Sequence, residues 1–188
     1  MTRYTPVSDK RNALILRTDG ASRGNPGHAA AGVVIQSEDG ELLARGKTYL
    51  GIITNNQAEY RALILGLRAV ARYNPSVVHV YMDSELVTRQ MTGQYRVKDE
   101  ALRPLYEEAR ELARKLPTVT FEHVLRGKNA LADALANEAL DERASPCRDA
   151  HTPGARRGSR RAAASAGHGS QRTTSPRTAA PSRSRRRR

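Results

Sequence analysis

Hydrophobic and polar positions change period several times along this chain, and each change marks a structural element. Residues 1–12 form a polar lead-in. Ala13-Leu14-Ile15-Leu16-Arg17-Thr18 is an apolar run that stops at Asp19-Gly20, which predicts a strand ending in a turn. Residues 21–27 read as a loop, because Ser22, Gly24, Asn25, Pro26 and Gly27 are all turn formers. Residues 32–36 predict a second strand, Glu38-Asp39-Gly40 a hairpin turn, and residues 41–50 the returning third strand. The period then becomes helical over residues 56–73. Leu63, Gly66, Leu67 and Val70 fall on one stripe, with Arg61, Arg68 and Arg72 off it; Thr54 or Asn55 can cap this helix, and Asn74-Pro75 closes it. Residues 77–82 predict a fourth strand and 84–91 a short helix stopped by Gly93. Residues 104–115 predict a longer helix, 119–124 a fifth strand and 131–140 a last helix. The order βββαβααβα predicts an α/β fold, a five-stranded mixed sheet whose first three strands are antiparallel, flanked by helices.

Charge divides the 188 residues unevenly. The net charge is +13, yet residues 145–188 hold twelve Arg and one acid, Asp149, which leaves +2 for residues 1–144. Those last 44 residues also contain no Leu, Ile, Val, Met, Phe, Tyr or Trp. Such a segment buries too little to offset the entropy of ordering, so the expectation is a folded domain over 13–144 and a disordered Arg-rich tail over 145–188. One cysteine, Cys147, excludes an intramolecular disulfide framework and a Cys-rich zinc module. No apolar run approaches the roughly 20 residues that span a bilayer, and the first residues lack the apolar stretch of a secretory signal. A cytoplasmic, monomeric protein is expected.

Four acids stand out by position. Asp19 ends the first strand, Glu59 lies near the start of the first long helix, Asp83 ends the fourth strand, and Asp133 opens the last helix. If the first and fourth strands are parallel neighbours, Asp19 and Asp83 emerge side by side, and helix ends above them add Glu59 and Asp133. Clustered carboxylates repel one another, and hard divalent cations such as Mg²⁺ or Mn²⁺ relieve that conflict. Each acid also has an ordinary reading. Asp19 suits an Asp-Gly turn, Glu59 a helix dipole and Asp83 a cap; only Asp133, flanked by Ala and Leu, lacks one.

Order and surroundings are more specific than the single residues. Thr18-Asp19-Gly20-Ala21-Ser22-Arg23-Gly24-Asn25-Pro26-Gly27 is followed by Thr54-Asn55-Asn56-Gln57-Ala58-Glu59, then Tyr81-Met82-Asp83-Ser84, then Asn129-Ala130-Leu131-Ala132-Asp133-Ala134-Leu135-Ala136. Over about residues 13–142 the chain resembles the ribonuclease HI family, in its short prokaryotic form without the basic protrusion. The resemblance implies a ribonuclease H-like fold and an endonuclease that cuts the RNA strand of RNA–DNA hybrids. It implies Asp19, Glu59, Asp83 and Asp133 as catalytic metal ligands for two Mg²⁺ ions, with Mn²⁺ as a substitute, and 5′-phosphate and 3′-hydroxyl products. Asn25, Asn55 and Asn56 match residues that contact the substrate in the minor groove, where a ribose 2′-hydroxyl marks RNA, and Thr54 matches a residue that holds a DNA-strand phosphate.

Two departures from the family pattern bear on this reading. The loop before the last aspartate, Leu125-Arg126-Gly127-Lys128-Asn129, is short and lacks the His that many members carry there, so Arg126, Lys128 and Asn129 become auxiliary candidates. Glu85 replaces a Gln that often follows the Asp-Ser pair. His123 reads as a structural strand residue, and Tyr95, beside Arg96 and Lys98, as a candidate nucleic-acid contact. The rivals are a DNA-cutting nuclease of the same fold, such as a resolvase or transposase, and a hybrid-binding module without catalysis. For the tail, three readings stand: a solvated extension, a phosphate-binding tether, or a shifted reading frame.

Overall fold

The computed structural model describes residues 13–144. The lead-in and the Arg-rich segment lie outside the described residues, and so does Cys147. Five strands, β1 (Ala13–Gly24), β2 (Gly27–Ser37), β3 (Leu42–Ile53), β4 (Val77–Met82) and β5 (Val119–His123), form one sheet in the order β3-β2-β1-β4-β5. β1, β2 and β3 pair antiparallel, and β4 and β5 add in parallel beside β1. The helices are α1 (Asn55–Val70), α2 (Glu85–Met91), α3 (Arg103–Arg114) and α4 (Ala130–Ala144). The mixed sheet and the element order match the sequence reading.

One expected loop is absent. Residues 21–27 were predicted to leave the sheet, but β1 continues to Gly24 and pairs with β2 through Ala21↔Ala30 and Arg23↔His28. The turn is only Asn25 and Pro26, joined by a cis peptide bond. Turn formers such as Ser and Asn are poor strand residues, yet the ladder to β2 satisfies their backbone groups, and only Gly24, at φ 112°, takes a conformation that needs glycine.

The sheet's two faces are filled differently. Leu14 and Leu16 of β1, Val78, Val80 and Met82 of β4, and Leu63, Leu67 and Val70 of α1 are buried in one aliphatic core with α3's Ala109. The predicted stripe of α1 faces this core. Thr54 is the cap: its hydroxyl accepts from the Gln57 N–H at 3.3 Å, and the Gln57 side chain accepts from the Thr54 N–H at 3.0 Å. Across the sheet, the contacts beneath α4 are small: Ala30 with Ala139 and Leu140, and Val34 with Ala132 and Leu135.

Two glycines set how closely the helices approach. A Cβ on Gly20 would lie 2.2 Å from the Glu59 nitrogen of α1, and one on Gly32 would lie 2.0 Å from the Ala132 carbonyl oxygen of α4. No backbone atom can yield at such separations without moving its helix. Gly32→Ala is therefore expected to lose stability toward or beyond the upper end of the roughly 1–3 kcal/mol usual for overpacking, read by urea unfolding. Gly46→Ala, where the new methyl meets nothing within 4 Å, is the control and should stay within about 0.5 kcal/mol of the parent. Equal effects would refute this account of α4 docking.

Candidate active site

β1 and β4 are paired in register up to Arg17↔Tyr81, so two residues further on Asp19 and Asp83 emerge together at the carboxyl edge of the sheet. The Arg17 guanidinium lies 4.9 Å from the Tyr81 ring centroid, which places both side chains on one face just before the acids. α1, pressed onto Gly20, supplies Glu59. Carboxylate oxygens of Asp19, Glu59 and Asp83 all lie within 4.8 Å of one another. Asp19 is 3% and Glu59 7% exposed.

The sequence also expected Asp133 in this cluster. It stands nearby on the first turn of α4, but the three-acid group does not include it. Its Oδ1 instead accepts from Arg126 Nε at 3.1 Å and Nη2 at 2.5 Å. The half-buried Asp133 has a guanidinium seven residues away on the preceding turn, whereas Asp19 and Glu59 sit deeper. Arg126 thereby becomes the cation facing the site.

Neighbouring dipoles hold the acids in place. The Gly20 N–H donates to Glu59 Oε2 at 3.2 Å. Asn129 is fully buried, and its Nδ2 donates both to the Thr18 carbonyl at 2.9 Å and to Asp83 Oδ1 at 3.0 Å. Both partners are acceptors, so the amide has one sensible orientation, and its own Oδ1 has no partner. Asn129 thus ties Asp83 to the peptide that carries Asp19. Lys128 contributes its backbone carbonyl, which accepts from Arg17 at 2.9 Å.

Proton affinities follow from this packing. The Asp19 carboxyl is pushed up to about 7, first by burial, then by the charge of Asp83 and a hydrogen bond with it, and by Asp133, while Arg126 opposes. Glu59 is raised well above the ordinary carboxylate range by burial and then by Asp19 and Asp83, with the Gly20 N–H and Arg126 opposing. Three hard oxygen donors thus share too little positive charge. That donor set fits Mg²⁺ or Mn²⁺.

The pocket over these acids is also lined by Ala21, Ser22, Arg23, Asn55, Arg126, Asn137 and Leu140. Asn25, at the β1–β2 turn, accepts through Oδ1 from the Asn55 N–H at 3.1 Å, so the hairpin tip and the start of α1 are joined. Asn55 and Asn56 are exposed there, and Thr54 is half-buried in its capping role. Sequence reasoning missed Asn137 as a lining residue, although its spacing of four from Asp133 puts both on one helix face. Tyr95 is not part of this pocket; its hydroxyl accepts from Arg89 at 3.0 Å, and Arg89 also pairs with Glu85. His123 is exposed at the end of β5.

The sequence profile of the reverse transcriptase-like family matches residues 17–139. Ribonuclease HI of Halobacterium salinarum is 48% identical over 124 residues, 66% of this chain and 62% of that protein. The chain belongs to the ribonuclease HI family. A bifunctional protein of Mycobacterium tuberculosis is 43% identical over 129 residues, 68% of this chain but 35% of its own length. The chain therefore spans less than two thirds of either relative. Among solved structures, LC11-RNase H1 in complex with an RNA/DNA hybrid superposes with a TM-score of 0.68 at 42% identity, covering 70% of this chain and 99% of that one. Its five-stranded mixed sheet is the fold of these solved relatives.

Two measurements check the site. Between the ordinary Asp value of 3.8 and about 7, the folded state holds a proton on Asp19 that the unfolded state has released. Metal-free thermal stability should therefore fall as pH rises through that window, with Glu59 adding to the fall. Mg²⁺ should restore the loss at pH 8, and Asp19→Asn should flatten the slope and melt several degrees higher there. Asn129→Ala should keep its fold but bind Mg²⁺ roughly 10–100-fold more weakly by calorimetry, as expected when a ligand loses its orienting hydrogen bond. Unchanged affinity would leave Asn129 a packing residue only.

Proposed function

We propose that this chain hydrolyses the RNA strand of RNA–DNA hybrids, leaving 5′-phosphate and 3′-hydroxyl ends. The observation that carries the reading is the Asp19–Glu59–Asp83 cluster beside the joined Asn25–Asn55 surface. The acids alone would suit any phosphodiesterase; the amides add a surface able to read a 2′-hydroxyl. A family relative whose structure was solved with an RNA/DNA hybrid supports the same substrate.

Asp19, Glu59 and Asp83, with Asp133 when it leaves Arg126, would hold two Mg²⁺ ions, or Mn²⁺ in their place. Bound there, such cations would supply Lewis-acid chemistry for activating a water and stabilising the departing 3′-oxygen. The protein's own share is positioning. Gly20 orients Glu59, and Asn129 orients Asp83. Arg126 keeps a positive charge at the mouth of the site and, with Lys128 beside it, replaces the missing loop His as a charge only. Asn25, Asn55 and Asn56 present amides to the minor groove, where they and Glu59 distinguish ribose from deoxyribose. Thr54 holds a phosphate of the DNA strand from the cap of α1. No described helix is long and apolar enough to cross a membrane. The reading is of a monomeric cytoplasmic enzyme that needs no protein partner.

The purified chain should cut only the RNA strand of an end-labelled hybrid, only with Mg²⁺ or Mn²⁺, and leave duplex DNA intact. Asp19→Asn and Asp83→Asn should lose cleavage by orders of magnitude while keeping the parent's circular dichroism. Cutting of duplex DNA at a similar rate would favour a resolvase-like nuclease. Tight hybrid binding without cleavage would leave a binding module.

A further inference from the structure

A second basic hollow adjoins the acidic pocket. It has a volume of about 350 Å³, is lined by Arg23, His28, Leu140 and Arg143, and shares Arg23 and Leu140 with the pocket over the carboxylates. The register of the sheet explains the adjacency. Asp19 pairs with Gly32, Ala21 with Ala30 and Arg23 with His28, so these residues descend one face of β1 and β2 in step. α4 runs beside them: Ala132 and Ala136 sit at Gly32, Ala139 and Leu140 at Ala30, and Arg143 at His28. Arg23 therefore stands four strand residues, roughly 13 Å, beyond Asp19 along one groove.

Arg143 and His28 in this hollow are both held by Tyr49. The Arg143 guanidinium lies 5.2 Å from the Tyr49 ring centroid, and the Tyr49 hydroxyl hydrogen-bonds His28 Nδ1 at 2.5 Å. A guanidinium stacked on a ring keeps its in-plane N–H groups for an acceptor, and Arg143 has no ion-pair partner among the described residues. Lys47, next along the same face of β3, is already neutralised by Glu138 and Glu142. Arg23 pairs with Asp141, but both are exposed, at 48% and 65%, and such pairs exchange partners at little cost. The unspent positive charge therefore collects at Arg143, with His28 and Arg23 on either side.

We infer that Arg23, His28 and Arg143 form a phosphate subsite for the nucleic-acid strand whose scissile phosphate lies at the carboxylates, more than one nucleotide from the cut. This rests on the hybrid-cleaving reading above. The subsite holds one backbone phosphate through charge and N–H donors and reads no base. Asp141 competes with that phosphate for Arg23. Binding there extends the footprint on the substrate without touching the reacting atoms, so it changes affinity and leaves turnover alone.

The experiment uses the full chain and fluorescence anisotropy with a labelled hybrid in metal-free buffer, followed by steady-state cleavage in Mg²⁺. Arg143→Gln should weaken binding and flatten the slope of log affinity against log salt by about 0.9, the value for one phosphate contact. The gap from the parent should then shrink about threefold between 50 and 200 mM salt. KM should rise with kcat unchanged. Asp141→Asn should tighten binding. Arg68→Gln and Glu108→Gln make the same charge changes at an ion pair on α1 and α3, and should do neither. In hybrids whose RNA is shortened from one end, parent affinity should drop at the step that empties the subsite, and Arg143→Gln should show no such step. Identical behaviour of Arg143→Gln and Arg68→Gln, or a length step that survives in Arg143→Gln, overturns the subsite. If the parent binds hybrid but cuts none, the catalytic reading fails instead, and the binding arms still decide the subsite.

Discussion

Three carboxylates have oxygens within 4.8 Å of one another, two of them almost wholly buried, so they can all be ionised only against burial and mutual repulsion. The rest of the domain supplies the free energy that holds them there. An aliphatic core between the sheet and α1, α2 and α3 fixes the strand that carries Asp19 to the strand that carries Asp83. Hydrogen bonds to the acids come from dipoles rather than from cations: a backbone N–H for Glu59 and a side-chain amide for Asp83. Dipoles steady a carboxylate without cancelling its charge, so affinity for a cation is kept. An ion pair at each acid would have produced a more stable domain and a poorer metal site.

The same demand explains the glycines. Glu59 reaches the cluster because α1 lies against Gly20 with no room for a methyl group, and α4 reaches its place through the same kind of contact at Gly32. These two contacts lie on opposite faces of the sheet, next to the same acid, since Gly32 is the partner of Asp19 on β2. The distance of each helix from the sheet is therefore set beside the site, where an error of an ångström would matter most. Elsewhere under α4 the contacts are Ala, Val and Leu, and the apolar layer is thin.

How much of this was legible in the chain depends on the kind of signal. The strands of the core, the stripe of α1 and Asp83 at the end of β4 could be read, because burial imposes a period and a strand end imposes a place. Asp19, expected at a strand end, lies within β1, where its neighbour β4 stops. Residues 21–27 could not, because local turn propensity is indifferent to a ladder formed with a neighbouring strand, and that ladder decided the outcome. The partner of Asp133 was also hidden. Helix position put it near the other acids, but a guanidinium seven residues earlier captured it, and the short turn between Arg126 and α4 that makes this possible has no signature in the pattern. Asn129 was noticed only through a motif; its bonds to Thr18 and Asp83 span 111 and 46 residues, beyond the reach of any local reading.

α4 links these observations. It carries Asp133 in its first turn and Arg143 near its end, ten residues and roughly 15 Å apart at 1.5 Å per residue. On β1, Asp19 and Arg23 are separated by roughly 13 Å. Two different elements thus place an acid and a base at nearly the same interval, because α4 lies along the strands and its small side chains keep it in step with the ladder. One end of the groove concentrates negative charge, which suits cations, and the other ends in guanidinium and imidazole groups, which suit a phosphate. A polyanion laid along such a groove meets repulsion over the bare acids and attraction at Arg143. Cations bound at the acids would reverse the first term and leave the second unchanged. On the hybrid-cleaving reading proposed above, the groove would couple metal occupancy to substrate affinity by electrostatics alone, with no change in fold.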